Sequence, residues 1–369
     1  MVLNLPHTLP LVGIGEEAAF ATLGVAAVNG ATDLGAPDAL AHMDPPAASI
    51  AAKMWSLIAP ANQNMLHPAT SPFATEAERL VLEWIVSAFD MAWGLFCSGS
   101  SLANLTALWA AREAGSTLVV ASTEAHISVA KAANILGMKY HPVPVDAVGR
   151  LIRSELPDLT HAAFVLTAGT TGRGAIDELS PCPARWLHVD AAWAGPLQFT
   201  KHATRLKGIE LADSIEISAH KWFFQPKGAA LALFRDRASE ASITFKTAYL
   251  AKPNVGVEGT RGAAAIPLLA TLLAWGCEGL AERIERCVWT ADQLAGRLAA
   301  DPRVLLKQPP ETGVINWRPI TGEVERAVAG LAGTSSAFAI GGELWVRQVS
   351  ANPDADLDRV WRRIAAILN

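Results

Sequence analysis

From Trp93 to Phe234 the chain alternates short apolar runs with segments of helical periodicity, and this alternation restricts the fold more than any other feature. The pattern predicts βα units built on a mostly parallel sheet. The predicted strands are 93–97, 117–121, 140–145, 163–167, 186–190, 214–218 and 229–234, with helical stretches such as 102–113 and 126–136 between them. Because open sheets of this kind bind ligands at the carboxyl ends of their strands, polar residues directly after a predicted strand are the candidates for a site.

Composition and charge narrow the class of protein. Of the 369 residues 51% are hydrophobic and 18% are charged, enough for a large buried core in two or three domains. The net charge of −5, with no cluster of Lys and Arg, offers no electrostatic footprint for nucleic acid or an acidic membrane surface. Small molecules are therefore the favoured partners.

Three regions are predicted along the chain. Residues 1–50 are rich in Gly, Pro and Ala and are expected to wrap around the protein body or a partner subunit. Residues 51–276 form the expected large domain, and 277–369 a small α+β domain. The elements expected outside the alternating region are helices at 75–90, 263–275, 278–300 and 355–368, strands near 303–307, 313–317 and 343–349, and a hairpin turn at Gly341-Gly342.

Cellular location is also predicted from the sequence. The first ten residues carry no basic residue ahead of an apolar core, which is unlike a secretory signal. The stretch 263–275 is too short to cross a bilayer, which takes about 20 apolar residues. Cys97, Cys182, Cys277 and Cys287 lack the spacing of metal ligands. We therefore expect a cytoplasmic protein without disulfides, without a metal and without a membrane span.

Asp190 and Lys221 are the leading candidates for a site. Asp190 ends the predicted strand 186–190, and Lys221 follows the predicted strand 214–218 in Ser218-Ala219-His220-Lys221-Trp222. An amine and a carboxylate at neighbouring strand ends can hold pyridoxal phosphate by its aldehyde and its ring nitrogen. Taken singly, Lys221 would be read as an exposed loop lysine, and Asp190 as a helix cap or a salt-bridged acid. Together they favour a vitamin B6 enzyme.

Three further polar segments follow predicted strands. Ser100 and Ser101 lie in a Ser/Gly loop ahead of a helix, where hydroxyls and backbone N–H groups can bind a phosphate, although such loops are also ordinary turns and helix caps. His126 opens the next helix, and its flat ring could stack on a cofactor or make an ordinary polar contact. Thr171 lies in the glycine-rich segment 167–174, which is either a hydroxyl-bearing binding loop or a flexible turn.

Together and in this order, these residues resemble the group II pyridoxal-phosphate-dependent decarboxylases, whose members include glutamate, aromatic amino acid, cysteine sulfinate and diaminobutyrate decarboxylases. The resemblance runs from about Ala41 to Arg261. Its pieces are Ala41-His42-Met43-Asp44-Pro45-Pro46, Ser71-Pro72-Phe73-Ala74-Thr75-Glu76, the Ser/Gly loop, Ala125-His126, Gly169-Thr170-Thr171, His188-Val189-Asp190-Ala191-Ala192, and Asp213-Ser214 leading to His220-Lys221-Trp222. Seven collinear pieces make the resemblance specific.

The resemblance implies a fold and a set of residue roles. The implied fold is an aspartate-aminotransferase-like (fold type I) α/β large domain, with a mostly parallel seven-stranded sheet and a small C-terminal α+β domain, in a homodimer with active sites at the subunit interface. Lys221 would form the Schiff base with pyridoxal phosphate and Asp190 would pair with its pyridine nitrogen. The other implied roles are ring stacking for His126 and Ala192, phosphate binding for Ser100, Ser101, Ser218 and His220, and contact with the ring or the substrate carboxylate for Thr171.

A tyrosine completes the implied machinery. In the family, a mobile loop after the lysine carries a tyrosine that protonates the carbanion. Tyr249 stands at the matching place, and His126 is expected to assist it as a further catalytic residue. An ordinary surface or interface residue is the alternative for Tyr249. The chain departs from the family in its short length, in its compact loop around Tyr249, and in Ser100 and Leu102, where a glycine and an acid are common.

The expected activity is decarboxylation of an L-amino acid to a primary amine and carbon dioxide. An aminotransferase, a Cα–Cβ lyase or an aldehyde synthase could use the same lysine and acid, and a catalytically silent binding subunit is a further alternative. The substrate stays open: Asp44 could favour a basic side chain or could cap the turn before Pro45.

Overall fold

The computed structural model describes residues 5–40, 42–248 and 250–368. Helices in this part of the chain are α1 Glu16–Asn29, α2 Ser49–Ile58, α3 Pro72–Ala88, α4 Ser100–Glu113, α5 Ile127–Ile135, α6 Ala238–Ser242, α7 Ala265–Ala300, α8 Val324–Gly330 and α9 Leu357–Ile367. Strands are β1 Trp93–Cys97, β2 Leu118–Ser122, β3 Lys139–Val143, β4 Ala162–Thr167, β5 Trp186–Asp190, β6 Ser214–Ser218, β7 Ala230–Phe234, β8 Thr244–Phe245, β9 Asn254–Val255, β10 Val304–Leu306, β11 Val314–Pro319, β12 Ser336–Ile340 and β13 Glu343–Val349.

A seven-stranded sheet forms the centre of the molecule, in the order β1-β7-β6-β5-β4-β2-β3. Strands β3, β2, β4, β5 and β6 run parallel, while β7 is antiparallel to both of its neighbours. Every residue of β4, β5, β6 and β7 is buried, because helices cover both faces of a parallel sheet and leave neither face to water. The predicted α/β fold with a mostly parallel seven-stranded sheet is confirmed.

Several predicted boundaries shift by a few residues. The helix expected at 75–90 begins at Pro72, since the fixed φ of proline suits the first helical position. The helix expected from position 102 begins at Ser100, so both candidate serines lie in its first turn. His126 caps α5 instead of lying within it, and its ring accepts a hydrogen bond from the Ser128 backbone N–H.

The two helices predicted at 263–275 and 278–300 are both present within α7, where they meet at a kink. Gly276, at φ 64° and ψ −173°, bends the helix, a conformation that glycine adopts at little steric cost. By length and apolar composition, α7 is the one helix among the described residues that could also cross a membrane. However, Ile266, Leu268 and Leu280 are buried in the main core, as expected for the core helix of a folded domain.

The C-terminal region builds a second, antiparallel sheet in the order β10-β11-β13-β12. Gly341 and Gly342 form the predicted hairpin turn between β12 and β13, both at positive φ. A separate apolar cluster joins this sheet to α8, α9 and the second half of α7 through residues such as Leu294, Trp317 and Ile364. The small α+β unit is therefore present, while the domain boundaries at 50/51 and 276/277 stay predictions.

The N-terminal segment contains a helix that the sequence analysis did not predict. Helix α1 has no buried residue, and Phe20, Leu23 and Val28 are among its exposed apolar side chains. Its expected wrapping around a protein body or a partner subunit stays a prediction.

Candidate active site

A cavity of about 410 Å³ opens at the carboxyl ends of the parallel strands. It is lined by eight of the predicted site residues, namely Ser100, Ser101, His126, Thr171, Asp190, Ala192, His220 and Lys221. These residues are far apart in sequence and meet because β1, β2, β4, β5 and β6 end at the same edge of the sheet. The structure thus brings the predicted constellation together in one place.

Lys221 lies in the turn that follows β6. Burial lowers the pKa of its amine from the usual value, opposing the influence of the carboxyls of Glu216 and Asp190. A lower pKa leaves a larger neutral fraction, and only the neutral amine attacks a carbonyl carbon. The position therefore suits a nucleophilic lysine.

Asp190 is the last residue of β5 and is almost fully buried. Its Oδ2 accepts a hydrogen bond of 3.0 Å from the side-chain amide of Asn104, and its Oδ1 accepts one of 3.2 Å from the Ala192 backbone N–H. The two donors satisfy the buried oxygens and fix the orientation of the side chain. A carboxylate held in this way can pair with a protonated ring nitrogen in the cavity.

Glu216 is a buried carboxyl that the sequence analysis missed. It lies on β6 at the position paired with Asp190 on β5 and is fully buried, with the side chains of Ser100 and Asp190 beside its carboxyl group. Burial, followed by the neighbouring Asp190, raises the pKa of Glu216 well above its usual value. Since two adjacent buried carboxyls do not both ionise readily, Glu216 is the member that holds a proton. The sequence did offer one signal for this residue, namely an acidic side chain in the middle of an otherwise apolar strand.

The serine end of the cavity is suited to an anion. Ser100 and Ser101 form the first turn of α4, and Gly99 precedes them without a side-chain cap on the helix. The buried Ser100 hydroxyl lies beside the carboxyl group of Glu216 but makes no hydrogen bond of ordinary geometry with a described residue. Backbone N–H groups at a helix N-terminus together with a hydroxyl are typical of phosphate sites.

Ser218 and His220 lie beside the lysine and contact each other. The Ser218 Oγ is 3.1 Å from His220 Nε2, and His220 Nδ1 is 3.1 Å from the Ala229 carbonyl oxygen. Burial, with the cations of Lys227 and Lys221, lowers the pKa of His220 to about 4, so the ring is neutral near pH 7. A neutral ring must donate from Nδ1 to the carbonyl, which leaves Nε2 to accept from Ser218. Ser218 is buried behind His220 and does not line the cavity.

Segment 167–174 forms the opposite wall. Gly169, at φ 95°, lies against Trp193 and Ala194, and Thr171 is exposed to the cavity. Arg173 in the same segment is buried and forms an ion pair with Glu124, which ties the segment to the β2–α5 turn that carries His126. The glycine-rich segment is therefore a packed loop instead of a flexible turn.

Arg347 is a second charged residue that the sequence analysis missed. It lies on β13 of the small sheet, is only 4% exposed, and donates from Nε to the Thr171 carbonyl oxygen over 2.6 Å. Burial lowers the pKa of Arg347 to about 10, so it remains charged near pH 7. Among the described residues no carboxylate forms a salt bridge with it. Arg347 does not itself line the cavity, and its contact with the cavity wall is the hydrogen bond to Thr171.

Asp44 and Tyr249 are the two remaining candidates. Asp44 forms an ion pair with Lys227. Burial alone would raise the pKa of the Asp44 carboxyl, but the neighbouring cations, Lys227 first among them, lower the pKa below its usual value. Tyr249 lies outside the described residues. Lys246 and Lys252, on either side of it, line a separate groove of about 820 Å³ that contains none of the predicted residues.

Pyridoxal phosphate fits the donors and acceptors of the cavity. The Ser100 hydroxyl and the free N-terminus of α4 suit its phosphate, Asp190 suits its ring nitrogen, and Lys221 suits its aldehyde. The exposed ring of His126 also lines the cavity. No group of three or more metal-binding side chains occurs within residues 5–40, 42–248 and 250–368.

The fold and the cavity define a fold type I pyridoxal-phosphate enzyme. A family described as the pyridoxal-dependent decarboxylase conserved domain matches residues 28–319, and the chain belongs to that family. Its relatives are pyridoxal-phosphate-dependent carboxy-lyases, and the resemblance seen in the sequence is confirmed.

Individual relatives agree with this assignment. The chain is 35% identical to an L-2,4-diaminobutyrate decarboxylase of Rhizobium meliloti over 84% of its own length and 70% of the relative's. It is 27% identical to an aspartate 1-decarboxylase of Aliivibrio fischeri over 80% of its length and 66% of the relative's. The chain thus spans about two thirds of these longer proteins.

Solved structures support the fold. An Oryza sativa TDC crystallised with PLP and tryptamine superposes with a TM-score of 0.88 at 21% identity, covering 99% of this chain and 90% of that one. The glutamate decarboxylase domain of a Vibrio parahaemolyticus protein superposes with a TM-score of 0.85 at 22% identity, over 98% and 87% of the two chains.

Proposed function

We propose that the protein removes the α-carboxylate of an L-amino acid as carbon dioxide and releases a primary amine, with Lys221 as the residue that bonds to the cofactor aldehyde. The proposal depends on one observation: Lys221 and Asp190 share a cavity with the N-terminus of α4, a helix end suited to a phosphate. Pyridoxal phosphate, when bound, supplies an electron sink for the pair left by the broken Cα–carboxylate bond.

Asp190 would stabilise the protonated ring nitrogen on which this electron sink depends. A carboxylate about 4 Å from a pyridinium nitrogen gains about 4 kcal/mol before desolvation at an effective dielectric near 20. Asn104 and the Ala192 backbone N–H hold the carboxylate in position. Glu216, carrying a proton, adds no second negative charge next to it.

Residues on and behind the walls of the cavity would orient the substrate and the cofactor. Arg347, which donates to the Thr171 carbonyl oxygen behind the cavity wall, is the proposed partner of the substrate carboxylate, because a guanidinium matches a carboxylate in two-point geometry. His126 and Ala192 stack on the two ring faces, Ser100, Ser101, Ser218 and His220 serve the phosphate, and Tyr249 returns a proton to Cα. These roles rest on the family resemblance and, for the residues that line the cavity, on their positions there. Ser218 would act through its contact with His220, and the role of Tyr249 rests on the resemblance alone.

The proposal extends to assembly and location. We propose a homodimer with active sites at the subunit interface, because a chain with a largely exposed apolar N-terminal helix has surface left to cover. A cytoplasmic location is proposed from the cysteine pattern, and all four cysteines are free.

Lys221→Ala tests the lysine. The purified variant, mixed with pyridoxal phosphate, should lose the absorbance of the lysine-bound cofactor and its steady carbon dioxide release. Lys201→Ala, which removes an exposed lysine paired with Glu285, is the control and should keep both. If Lys221→Ala keeps the absorbance and turnover of the wild type, the assignment of Lys221 is wrong.

The substrate is found by screening. Common L-amino acids, including 2,4-diaminobutyrate, aspartate and the aromatic amino acids, are incubated with the loaded protein. Carbon dioxide and amine are measured against keto acid and aldehyde. Keto acid or aldehyde without amine would replace decarboxylation with another reaction of the same fold.

A further inference from the structure

Behind the cavity, buried side chains of four elements form one continuous chain of hydrogen bonds that branches toward two site residues, Asp190 and His126. The members come from β5, β6, α4 and the first turn of α5, and they are Trp186, Ser214, His188, Asn104 and Ser128. Each of the five is at most 8% exposed. Water therefore does not compete for these bonds, and their donors and acceptors must match each other.

The direction of the first half is set by Asn104, whose Nδ2 group must face the Asp190 carboxylate and whose Oδ1 therefore accepts from His188 Nε2. Trp186 Nε1 carries a hydrogen and donates to Ser214 Oγ over 2.8 Å. The single hydroxyl hydrogen of Ser214 is then directed to His188 Nδ1, 2.8 Å away. Burial lowers the pKa of His188 to about 4, so near pH 7 its one ring proton lies on Nε2. From there it reaches Asn104 Oδ1 over 2.8 Å.

Asn104 is the branch point. Because its Oδ1 accepts from His188, its Nδ2 group must supply the two hydrogens on the other side. One is donated to Asp190 Oδ2 and the other to Ser128 Oγ, each over 3.0 Å. The reversed amide would place a carbonyl oxygen against the Asp190 carboxylate, an electrostatic repulsion without compensation. The orientation of Asn104 is thereby determined by both neighbours.

The second branch ends at His126. Since Ser128 Oγ accepts from Asn104, its own hydrogen is free for His126 Nδ1, 2.8 Å away. The Ser128 backbone N–H points at the same Nδ1 over 3.2 Å. With two donors directed at it, Nδ1 must be an acceptor and cannot carry a proton. The ring proton is therefore on Nε2, the nitrogen left to face the cavity that His126 lines.

We infer that Asn104 and Ser128 are positioning residues that hold His126 as a neutral imidazole with its proton on Nε2, and that the same Asn104 amide orients Asp190. This inference deepens the proposed function, on which its consequence for the reaction rests. A neutral ring stacks and donates one hydrogen bond into the cavity, but it does not deliver a proton as a charged acid near pH 7. The proton for Cα must then come from another group.

The charges around the ring agree with this state. Burial is the main influence, and it lowers the pKa of His126. Asp190 on β5 acts in the opposite direction, while Lys221 in the turn after β6 and Lys131 on α5 itself both disfavour an imidazolium.

The test reads the protonation state directly. The full-length protein, labelled with ¹⁵N only at histidine side chains, is measured by NMR with and without saturating pyridoxal phosphate between about pH 6 and 8. The His126 signal is identified by its loss in His126→Gln. We expect an unprotonated Nδ1 and a protonated Nε2 throughout. A proton on Nδ1, or a predominantly charged ring at pH 7, would overturn the inference.

Two variants test the positioning residues. Asn104→Leu frees the Ser128 hydroxyl to turn and accept from Nδ1, so the pKa of His126 should rise by about one unit, a tenfold gain in proton affinity. Ser128→Ala should cause a rise in the same direction, because one donor is lost. Ser116→Ala removes a buried hydroxyl that has no partner among the described residues, and should leave His126 unchanged.

The outcomes separate the inference from the proposed function. An unchanged His126 titration in folded Asn104→Leu and Ser128→Ala removes both residues from a positioning role. The measurement on protein without cofactor does not depend on turnover. Absence of carbon dioxide release with the expected tautomer would therefore count against the proposed function and not against the hydrogen-bond chain.

Discussion

Replacing Gly169 with alanine should damage both stability and cofactor binding. Gly169 lies at φ 95°, and a Cβ built there would lie 2.9 Å from Trp193 Cδ1 and 3.2 Å from the Ala194 Cβ. Trp193 cannot retreat easily, because its Nε1 donates to the Thr312 carbonyl oxygen over 2.6 Å and its ring packs on Trp222. The strain thus falls on the segment that carries Thr171.

The expected loss is the sum of a backbone and a packing contribution. An L side chain in left-handed backbone costs about 1–2 kcal/mol, and overpacking a buried site costs about 1–3 kcal/mol. Gly169→Ala should therefore lower the free energy of unfolding by about 2–5 kcal/mol. A displacement of the loop by about 1 Å is also enough to reduce turnover a hundredfold.

Two glycines provide matched controls. Gly137, at φ 68° with nothing within 4 Å of a built Cβ, should show the backbone contribution alone. Gly296 lies inside α7 with the same open space, and its replacement by alanine should stabilise by about 0.5–1 kcal/mol. Urea unfolding followed by tryptophan fluorescence, together with cofactor titration, measures the series. A Gly169→Ala loss no larger than that of Gly137→Ala would refute the packing argument.

Three further predictions concern single side chains. Arg347→Gln should raise KM about ten- to a hundredfold with a smaller change in kcat, because one charged hydrogen bond worth about 1.5–3 kcal/mol is lost. An unchanged KM would exclude carboxylate binding by Arg347. Burial lowers the pKa of His188 to about 4, so the contribution of the neutral ring to stability is complete above about pH 6.5 and is lost as the pH falls toward 4. The loss should be about 3 kcal/mol. In urea unfolding measured at a series of pH values, His188→Gln should therefore lose less free energy of unfolding than the wild type as the pH falls. Tyr249→Phe should slow amine formation about 10²–10⁴-fold and divert product to aldehyde when oxygen is present, and wild-type product ratios would remove Tyr249 from the mechanism.

Sequence alone determined the sheet and the order of its site residues. Strands β5 and β6 were predicted with the bounds that the structure shows, since continuous apolar runs in a βα alternation have few other ways to be buried. Asp190 and Lys221 could be placed at one edge because parallel strands end together. The sequence predicted the first residues of helices less precisely. Helices α3 and α4 begin at Pro72 and Ser100, a turn or less before the residues that show helical periodicity.

Only the tertiary structure decided which polar groups are buried and what they contact. An acid inside an apolar strand marks Glu216 as unusual, but neither its contact with Asp190 nor the burial of Arg347 is visible in a local pattern. Asn104 lies 86 residues from Asp190 and 24 from Ser128, so its hydrogen bonds depend on how α4 packs over β5. The sequence predicted the residues that surround the cavity, whereas packing between distant elements determines their charges and proton positions.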